Sequence, residues 1–382
     1  MLDDRFLDHK LNERRLQDAF RRLRLPEGKI DFCSNDYLGI ATNGLLEETA
    51  PPLAHGSTGS RLLAGNYPLI EETERALAAF HEAEAGLLFN SGYDANLGVL
   101  SCIPQRGDLI LYDSLSHASL RDGIRLSFGT AFSFAHNDVS DLEKRLAGAR
   151  GKGGGDEADG KAGRGNIFVV TESVFSMDGD LAPLDEIVAL CQRYGAQLIL
   201  DEAHGTGVIG PAGEGLAQAR GWHRECFARI HTFGKAAGCH GAIVLGSGRL
   251  RDYLINFSRA FIYTTALPPA SVRAIARAYE LFPHLHDERR RLQQLIDRFQ
   301  QAPIGYARLR SSTPIQVVIV PGNAEVRSLA ESLQQAGLDI RPILYPTVPR
   351  GSERLRIVIH SFNTPDELNK LTELLQKKPA QP

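Results

Sequence analysis

The chain alternates short strand-like runs, several of them continuously apolar, with stretches whose apolar residues recur at helical spacing. The runs lie at 86–89, 109–112, 167–170, 198–200, 230–233 and 242–245, and several carry no charged or amide side chain. Strands covered by helices on both faces read this way, because neither face meets water. Between them, 138–149 and 184–194 have helical spacing, with Pro183 suiting the start of the second. A further helix begins at Pro68 and places Leu69, Ile70, Thr73, Leu77 and Phe80 on one side. This order predicts a doubly wound α/β domain with a mostly parallel sheet. Residues 3–24 read as one amphipathic helix carrying Leu7, Leu11, Leu16, Phe20 and Leu23, ended by Pro26 and Gly28.

After Pro268-Pro269 the texture changes. Helices are expected at 270–282, 287–301, 324–336 and 365–377, with strands at 315–320 and 355–359, which predicts a smaller α+β domain. The expected division is an N-terminal helix and arm at 1–45, a large domain at 46–266 and a small domain at 267–382. One segment fits neither. GKGGGDEADGKAGRG at 151–165 has seven glycines and no large apolar residue, so it can bury nothing that would offset the entropy of ordering. It is expected to be a surface excursion without a catalytic part.

Composition narrows the function classes. With 382 residues there is length for two domains, and 43% hydrophobic and 23% charged residues suit a soluble globular chain. A formal net charge of −3 makes no field that would gather nucleic acid or an anionic membrane. The arginines of the first predicted helix, Arg14, Arg15, Arg21, Arg22 and Arg24, read as a solvated face. Cys33, Cys102, Cys191, Cys226 and Cys239 are scattered without a CxxC pair, so neither a disulfide framework nor a metal site is expected. The opening MLDDRFLDHK lacks the basic start and apolar middle of a signal peptide, and no run approaches the ~18 apolar residues of a membrane span. A cytoplasmic location is expected.

The candidate chemistry sits at the ends of the apolar runs. Asp201 closes 198–200, His204 follows three residues later, and Lys235 follows 230–233. Ligands of open α/β sheets bind outside the carboxyl ends of the strands, so these residues are expected to share one site. A lysine facing a buried acid across a flat, electron-poor ring is what pyridoxal phosphate requires. Its phosphate wants backbone N–H groups at a helix start, and the turn at 90–96, with Gly92 allowing close approach, is placed for that. Asp201 would keep the ring nitrogen protonated, His204 would donate to the phenolic oxygen, and His117 is a candidate to cover a ring face. Lys235 would be the amine nucleophile.

These stretches resemble the α-oxoamine synthase family of pyridoxal phosphate enzymes over nearly the whole chain. The resemblance rests on SNDYLG at 34–39, GSTGSRLLAGN at 56–66, SGYDAN at 91–96, SHASL at 116–120 and AHNDV at 135–139. It continues through VFSMDGDLAPL at 174–184, DEAHGTGVIG at 201–210, TFGKAAG at 232–238, IYTTALPP at 262–269 and PTVPRGSERLRI at 346–357. It implies a fold type I transferase in which Lys235 is the Schiff-base lysine, Asp201 partners the ring nitrogen, His204 donates to the phenolic oxygen and His117 stacks on the ring. Gly92, Tyr93, Ser176 and Thr232 are implied as further cofactor contacts. In a homodimer with a shared site, Thr264 or Thr265 would reach the neighbouring subunit's phosphate. For the substrate, the resemblance implies that Arg356 holds the amino-acid carboxylate with help from Asn35, that Thr347 is a contact, and that Arg21 meets the far carboxylate of a pimeloyl chain.

The implied activity is a decarboxylative condensation of L-alanine with a pimeloyl thioester, carried by coenzyme A or acyl carrier protein, in biotin biosynthesis. Alternatives are the reactions of serine palmitoyltransferase or glycine C-acetyltransferase, and more remotely a non-catalytic partner subunit. Two departures bear on substrate choice: Glu202 stands where relatives often have a second aspartate, and Ala236-Ala237-Gly238-Cys239-His240 is smaller and more polar than the usual run.

Overall fold

The computed structural model describes residues 3–23, 25–26, 28–47, 51–151 and 165–376. Arg24 and most of the glycine-rich stretch, 152–164, lie outside the described residues. The chain divides into two compact units. The large one is Leu38–Ser176 with Leu181–Asp287, and the small one joins Met177–Asp180 to residues before Leu38 and after Asp287.

Seven strands of the large unit form one sheet: β1 Ala85–Phe89, β2 Leu109–Asp113, β3 Thr130–Phe134, β4 Ile167–Glu172, β5 Gln197–Asp201, β6 Cys226–Thr232 and β7 Ala242–Gly246. Their order is β1-β7-β6-β5-β4-β2-β3, with β7 antiparallel to both neighbours and every other pair parallel. Alternate residues face opposite ways. Ile110, Phe168, Val170, Ile199 and Ile230 pack with Val99, Leu100, Leu120, Ile124 and Leu254. Leu111, Val169, Leu198 and Leu200 pack with Leu142, Leu146, Ile187 and Val188. With both faces covered, several of the runs are continuously apolar, while 230–233 buries His231 and Thr232 as well. Strand β3 was not legible because it is an edge strand whose Thr130 and Phe132 are exposed while Phe134 is buried. The helices Ala118–Leu126 and Gly248–Phe257 were also missed.

The boundary between the units follows contacts and not chain texture. Pro269 begins the helix Pro269–Leu281, which stays with the large unit. Its Tyr279 stacks edge-on against Phe80 at 5.1 Å and meets His81 Nε2 at 2.9 Å. The expected break near 267 therefore falls at 287/288.

The small unit has an antiparallel sheet of β8 Ala307–Arg308, β9 Ile315–Ile319, β10 Arg341–Ile343 and β11 Arg354–Val358, in the order β10-β11-β9-β8. Its helices His286–Gln301, Asn323–Gln335 and Pro365–Gln376 bury Leu295, Phe299, Val326, Leu333, Leu368 and Leu371. The N-terminal arm is no separate body: Ile30–Asp31 pairs parallel with Leu338–Asp339, and Val358 N donates to Phe32 O at 2.9 Å. The single helix expected at 3–24 is also shorter. A 3₁₀ turn Arg5–Leu7 leads into a helix Asp8–Leu16, and Asp18 takes a positive φ of 51°. Phe6, Leu7, Leu11 and Leu16 are exposed. Leucines at mixed steps form no continuous stripe, so burial cannot extend the helix.

Candidate active site

At the centre of the large sheet, β2, β4, β5 and β6 end on Asp113, Glu172, Asp201 and Thr232. Asp201 is 4% exposed; its Oδ2 accepts from Asn96 Nδ2 at 2.7 Å and its Oδ1 from Ala203 N at 2.8 Å. These donors hold the carboxylate in place and leave further lone pairs on both oxygens for a third. Glu172 is its register partner on β4, 3% exposed, and accepts from His117 N at 2.6 Å.

Lys235 stands in the turn after β6, which is closed by Gly238 N donating to Lys235 O at 2.8 Å and Cys239 N to Phe233 O at 2.9 Å. Its half-buried amine lies 3.5 Å from Thr232 Oγ1. Its charge acts on both His117 and Glu172, as does that of Asp201, so Lys235, Asp201, His117 and Glu172 lie close enough to influence one another. Facing Thr232 is the start of the helix Gly92–Cys102, whose N-cap Ser91 accepts from Asp94 N at 3.1 Å. A Cβ at position 92 would stand 2.3 Å from Thr232 Cγ2. Only glycine lets this helix start close on the end of β6.

His117 caps the helix Ala118–Leu126, with Nδ1 2.8 Å from Ser119 Oγ. Burial lowers its affinity for a proton, and Lys235 and Arg121 push the same way against Asp201. The ring is therefore biased toward its neutral form, which suits a flat stacking partner. His204 is buried in the loop after β5, and Ser176 is half-buried in the segment after β4. The Tyr93 hydroxyl donates to Asp122. Glu202 turns away from this group: its oxygens accept from Leu216 N at 3.0 Å and Ala217 N at 2.7 Å, so the residue that departs from the family pattern is a buried scaffold for the following turn.

Thr264 and Thr265 differ in setting. Asn90 Nδ2 donates to Thr264 Oγ1 at 2.9 Å and to Thr265 O at 2.8 Å, and the Thr265 side chain is exposed while Thr264 is half-buried. The GSTGSR motif fastens this segment: Ser57 Oγ donates to Ala266 O at 2.8 Å, and Ala266 N donates to Gly59 O at 2.9 Å. Arg61 ties the same motif to the buried Glu74 at 2.7 Å.

In the small unit, Arg356 on β11 donates from Nη2 to Asn35 Oδ1 at 3.0 Å, and Tyr37 donates to the same oxygen at 3.1 Å. Burial pushes the Tyr37 hydroxyl up to about 12 despite the Arg356 charge. Arg21 Nη2 donates to Thr347 Oγ1 at 3.3 Å. The structure thus pairs the four residues that the resemblance linked to substrate, as Arg356 with Asn35 and Arg21 with Thr347. Gly179 of the VFSMDGD motif belongs here too, its carbonyl accepting from Ser311 Oγ at 2.7 Å and Thr313 Oγ1 at 2.8 Å.

Sequence reasoning missed Asn96, Ser119 and Glu172. Asn96 Nδ2 also reaches Ser119 Oγ, at 3.0 Å, so a continuous path runs from Asp201 through Asn96 and Ser119 to the His117 ring. Asn96 and Ser119 stand inside motifs that were legible, SGYDAN and SHASL, and Glu172 just precedes VFSMDGD, yet no spacing rule assigns any of them a role. The donor set fits a phosphorylated pyridine aldehyde: a helix start opened by glycine, a buried acid, a lysine and a neutral flat ring.

The sequence profile of the aminotransferase class I and II family matches residues 27–375, and the chain belongs to that family. Among its relatives, the 8-amino-7-oxononanoate synthase of Emericella nidulans is 41% identical over 389 aligned positions, covering 95% of this chain and 93% of that one. A solved 8-amino-7-oxononanoate synthase from Francisella tularensis is 29% identical with a TM-score of 0.72, covering 92% of this chain and 97% of the other. A serine palmitoyltransferase solved with PLP is 27% identical with a TM-score of 0.82, covering 98% of each chain. These likenesses bear out the fold class and the family read from the ten motifs.

Proposed function

We propose that this chain is a pyridoxal-phosphate-dependent C-acyltransferase that condenses L-alanine with a pimeloyl thioester, releasing carbon dioxide and a thiol to give 8-amino-7-oxononanoate. The observation that carries this reading is the meeting of Lys235, Asp201 and His117 beside the glycine-opened helix start at Gly92. When bound, pyridoxal phosphate supplies an electron sink for negative charge at the amino-acid Cα. Lys235 Nζ takes and returns the Cα proton. Asp201, fixed by Asn96 and Ala203, keeps the proton on the ring nitrogen. His117 covers a ring face, His204 donates to the phenolic oxygen, and the N–H groups after Ser91 receive the phosphate with Tyr93, Ser176 and Thr232 alongside.

Two copies of the chain share the site, and Thr265 is the hydroxyl offered to the neighbour, because it is exposed while Thr264 is held by Asn90. Arg356 takes the alanine carboxylate, its guanidinium aimed by Asn35. Arg21, exposed and at hydrogen-bond distance from Thr347, suits the far carboxylate of the pimeloyl chain. Coenzyme A or acyl carrier protein delivers that chain, and the reaction runs in the cytoplasm. Among the described residues no helix is long and apolar enough to cross a membrane.

The higher backbone agreement with the serine palmitoyltransferase favours a second reading, a long-chain acyl donor with serine. Against it, an apolar acyl tail offers Arg21 no partner. The test is thiol release by the cofactor-loaded protein. Alanine with pimeloyl-coenzyme A should be turned over at least tenfold faster than serine with palmitoyl-coenzyme A, and the reverse ranking would transfer the assignment.

A further inference from the structure

Two acids stand side by side at the strand ends of the site, and only Asp201 has a role above. Glu172 and Asp201 are register partners on adjacent parallel strands, so their side chains leave the same face from backbones about 5 Å apart. Both are almost fully buried, at 3% and 4% exposure. Two buried carboxylates this close do not both ionise readily. The hydrogen bonds decide which one does: Asp201 accepts from Asn96 Nδ2 and Ala203 N, while Glu172 accepts from His117 N. More donors favour the charge on Asp201.

We propose that Glu172 is a positioning residue for His117, and that it keeps its proton so that the Glu172–Asp201 pair carries one negative charge, lodged on Asp201. The accepted N–H fixes the backbone at the cap of the helix Ala118–Leu126, and with it the ring of His117. The ring is held from its other end by Ser119 Oγ at 2.8 Å. A single charge against the ring nitrogen keeps the proton on the cofactor without drawing a second one toward Asp201.

The groups facing Glu172 agree. Burial and the Asp201 charge push its carboxyl up to about 8, with Asp113 at the end of β2 adding to them, against the His117 N–H and Lys235. Glu172 thus changes charge just above neutrality, where a second negative charge beside Asp201 and Lys235 would hold the lysine proton more tightly and slow its use as a base.

This inference rests on the cofactor reading above, but its first test does not need substrate. Infrared difference spectra of the cofactor-free protein between pH 6.5 and pH 9.5 should contain a protonated-carboxyl band that disappears near pH 8. That band should be missing in Glu172→Gln. A carboxylate already formed at pH 6.5, or a band retained in the variant, would overturn the proposal.

The second test separates positioning from mere folding. In the cofactor-loaded enzyme, Glu172→Ala should lower kcat about tenfold with KM moved less than twofold. Glu172→Gln, whose amide oxygen can still accept the His117 N–H, should restore most of that loss at pH 7 and abolish the alkaline fall near pH 8. Equal losses in both variants, or an unchanged alkaline limb, would refute it. If turnover with alanine and pimeloyl thioester is absent but the infrared band behaves as stated, the substrate assignment fails and this inference stands.

Discussion

Asn96 donates to Asp201 across 105 residues of chain, Nδ2 to Oδ2 at 2.7 Å. The same amide nitrogen reaches Ser119 Oγ at 3.0 Å, so one buried side chain joins Asp201 to the serine that contacts the His117 ring. Removing it by Asn96→Ala leaves a buried carboxylate with one donor fewer, a loss of about 1–3 kcal/mol. The expected outcome is a lower urea midpoint and pyridoxal phosphate affinity reduced at least tenfold, measured by absorbance titration. Unchanged affinity would show that Asp201 is held without Asn96.

Gly92 and Thr232 make a steric prediction that can be reversed. Gly92→Ala drives a methyl to 2.3 Å from Thr232 Cγ2, and the overlap should cost about 1–3 kcal/mol and weaken cofactor binding about tenfold. Adding Thr232→Ser removes that methyl while retaining a hydroxyl near Lys235. The double variant should recover most of the lost affinity, and a failure to do so would place the defect elsewhere.

For Arg356, aimed by Asn35 at 3.0 Å, the conservative change is not conservative. Arg356→Lys keeps the charge and loses the planar fork. The KM for alanine should rise about tenfold or more, roughly 1.4 kcal/mol, while cofactor affinity stays within twofold. Steady-state kinetics and absorbance titration on the same preparation separate the two effects.

His81 and His231 lie against each other in the core, 3.9 Å between ring centroids with the rings tilted by 35°. Burial lowers both well below the ordinary histidine value, with Arg229 adding to it in each case and His81 acting on His231. The folded chain therefore binds fewer protons here than the unfolded one. Their stabilisation is fully present above about pH 6.5 and is lost as the pH falls, at up to about 1.4 kcal/mol per pH unit for each ring. Urea midpoints should drop steeply between pH 7 and pH 5, and His231→Leu should flatten that slope. An equal slope in the variant would assign the acid sensitivity to other groups.

Much of the fold was legible in the chain. The runs at 109–112 and 198–200 came from residues whose burial on both faces leaves no polar alternation, and the helix at 184–194 has the same bounds in the structure. Strand β3 was hidden because an edge position exposes Thr130 and Phe132. The helix expected at 3–24 breaks off at Leu16 because no continuous apolar stripe carries it further. The break expected near 267 moved because Tyr279 binds its helix to Phe80 and His81.

What the sequence by itself determined was which groups are candidates: Lys235, Asp201, His117, His204 and Arg356 each stand in a short motif or at the end of an apolar run, and such signals are local. Tertiary structure alone decided their company. The strand order β1-β7-β6-β5-β4-β2-β3 puts Glu172 beside Asp201, brings Asn96 to the same carboxylate and lays Gly92 against Thr232. Periodicity records which face of an element is buried. Hydrogen bonds and steric contacts between elements depend on which strands become neighbours, and no stretch of chain carries that by itself.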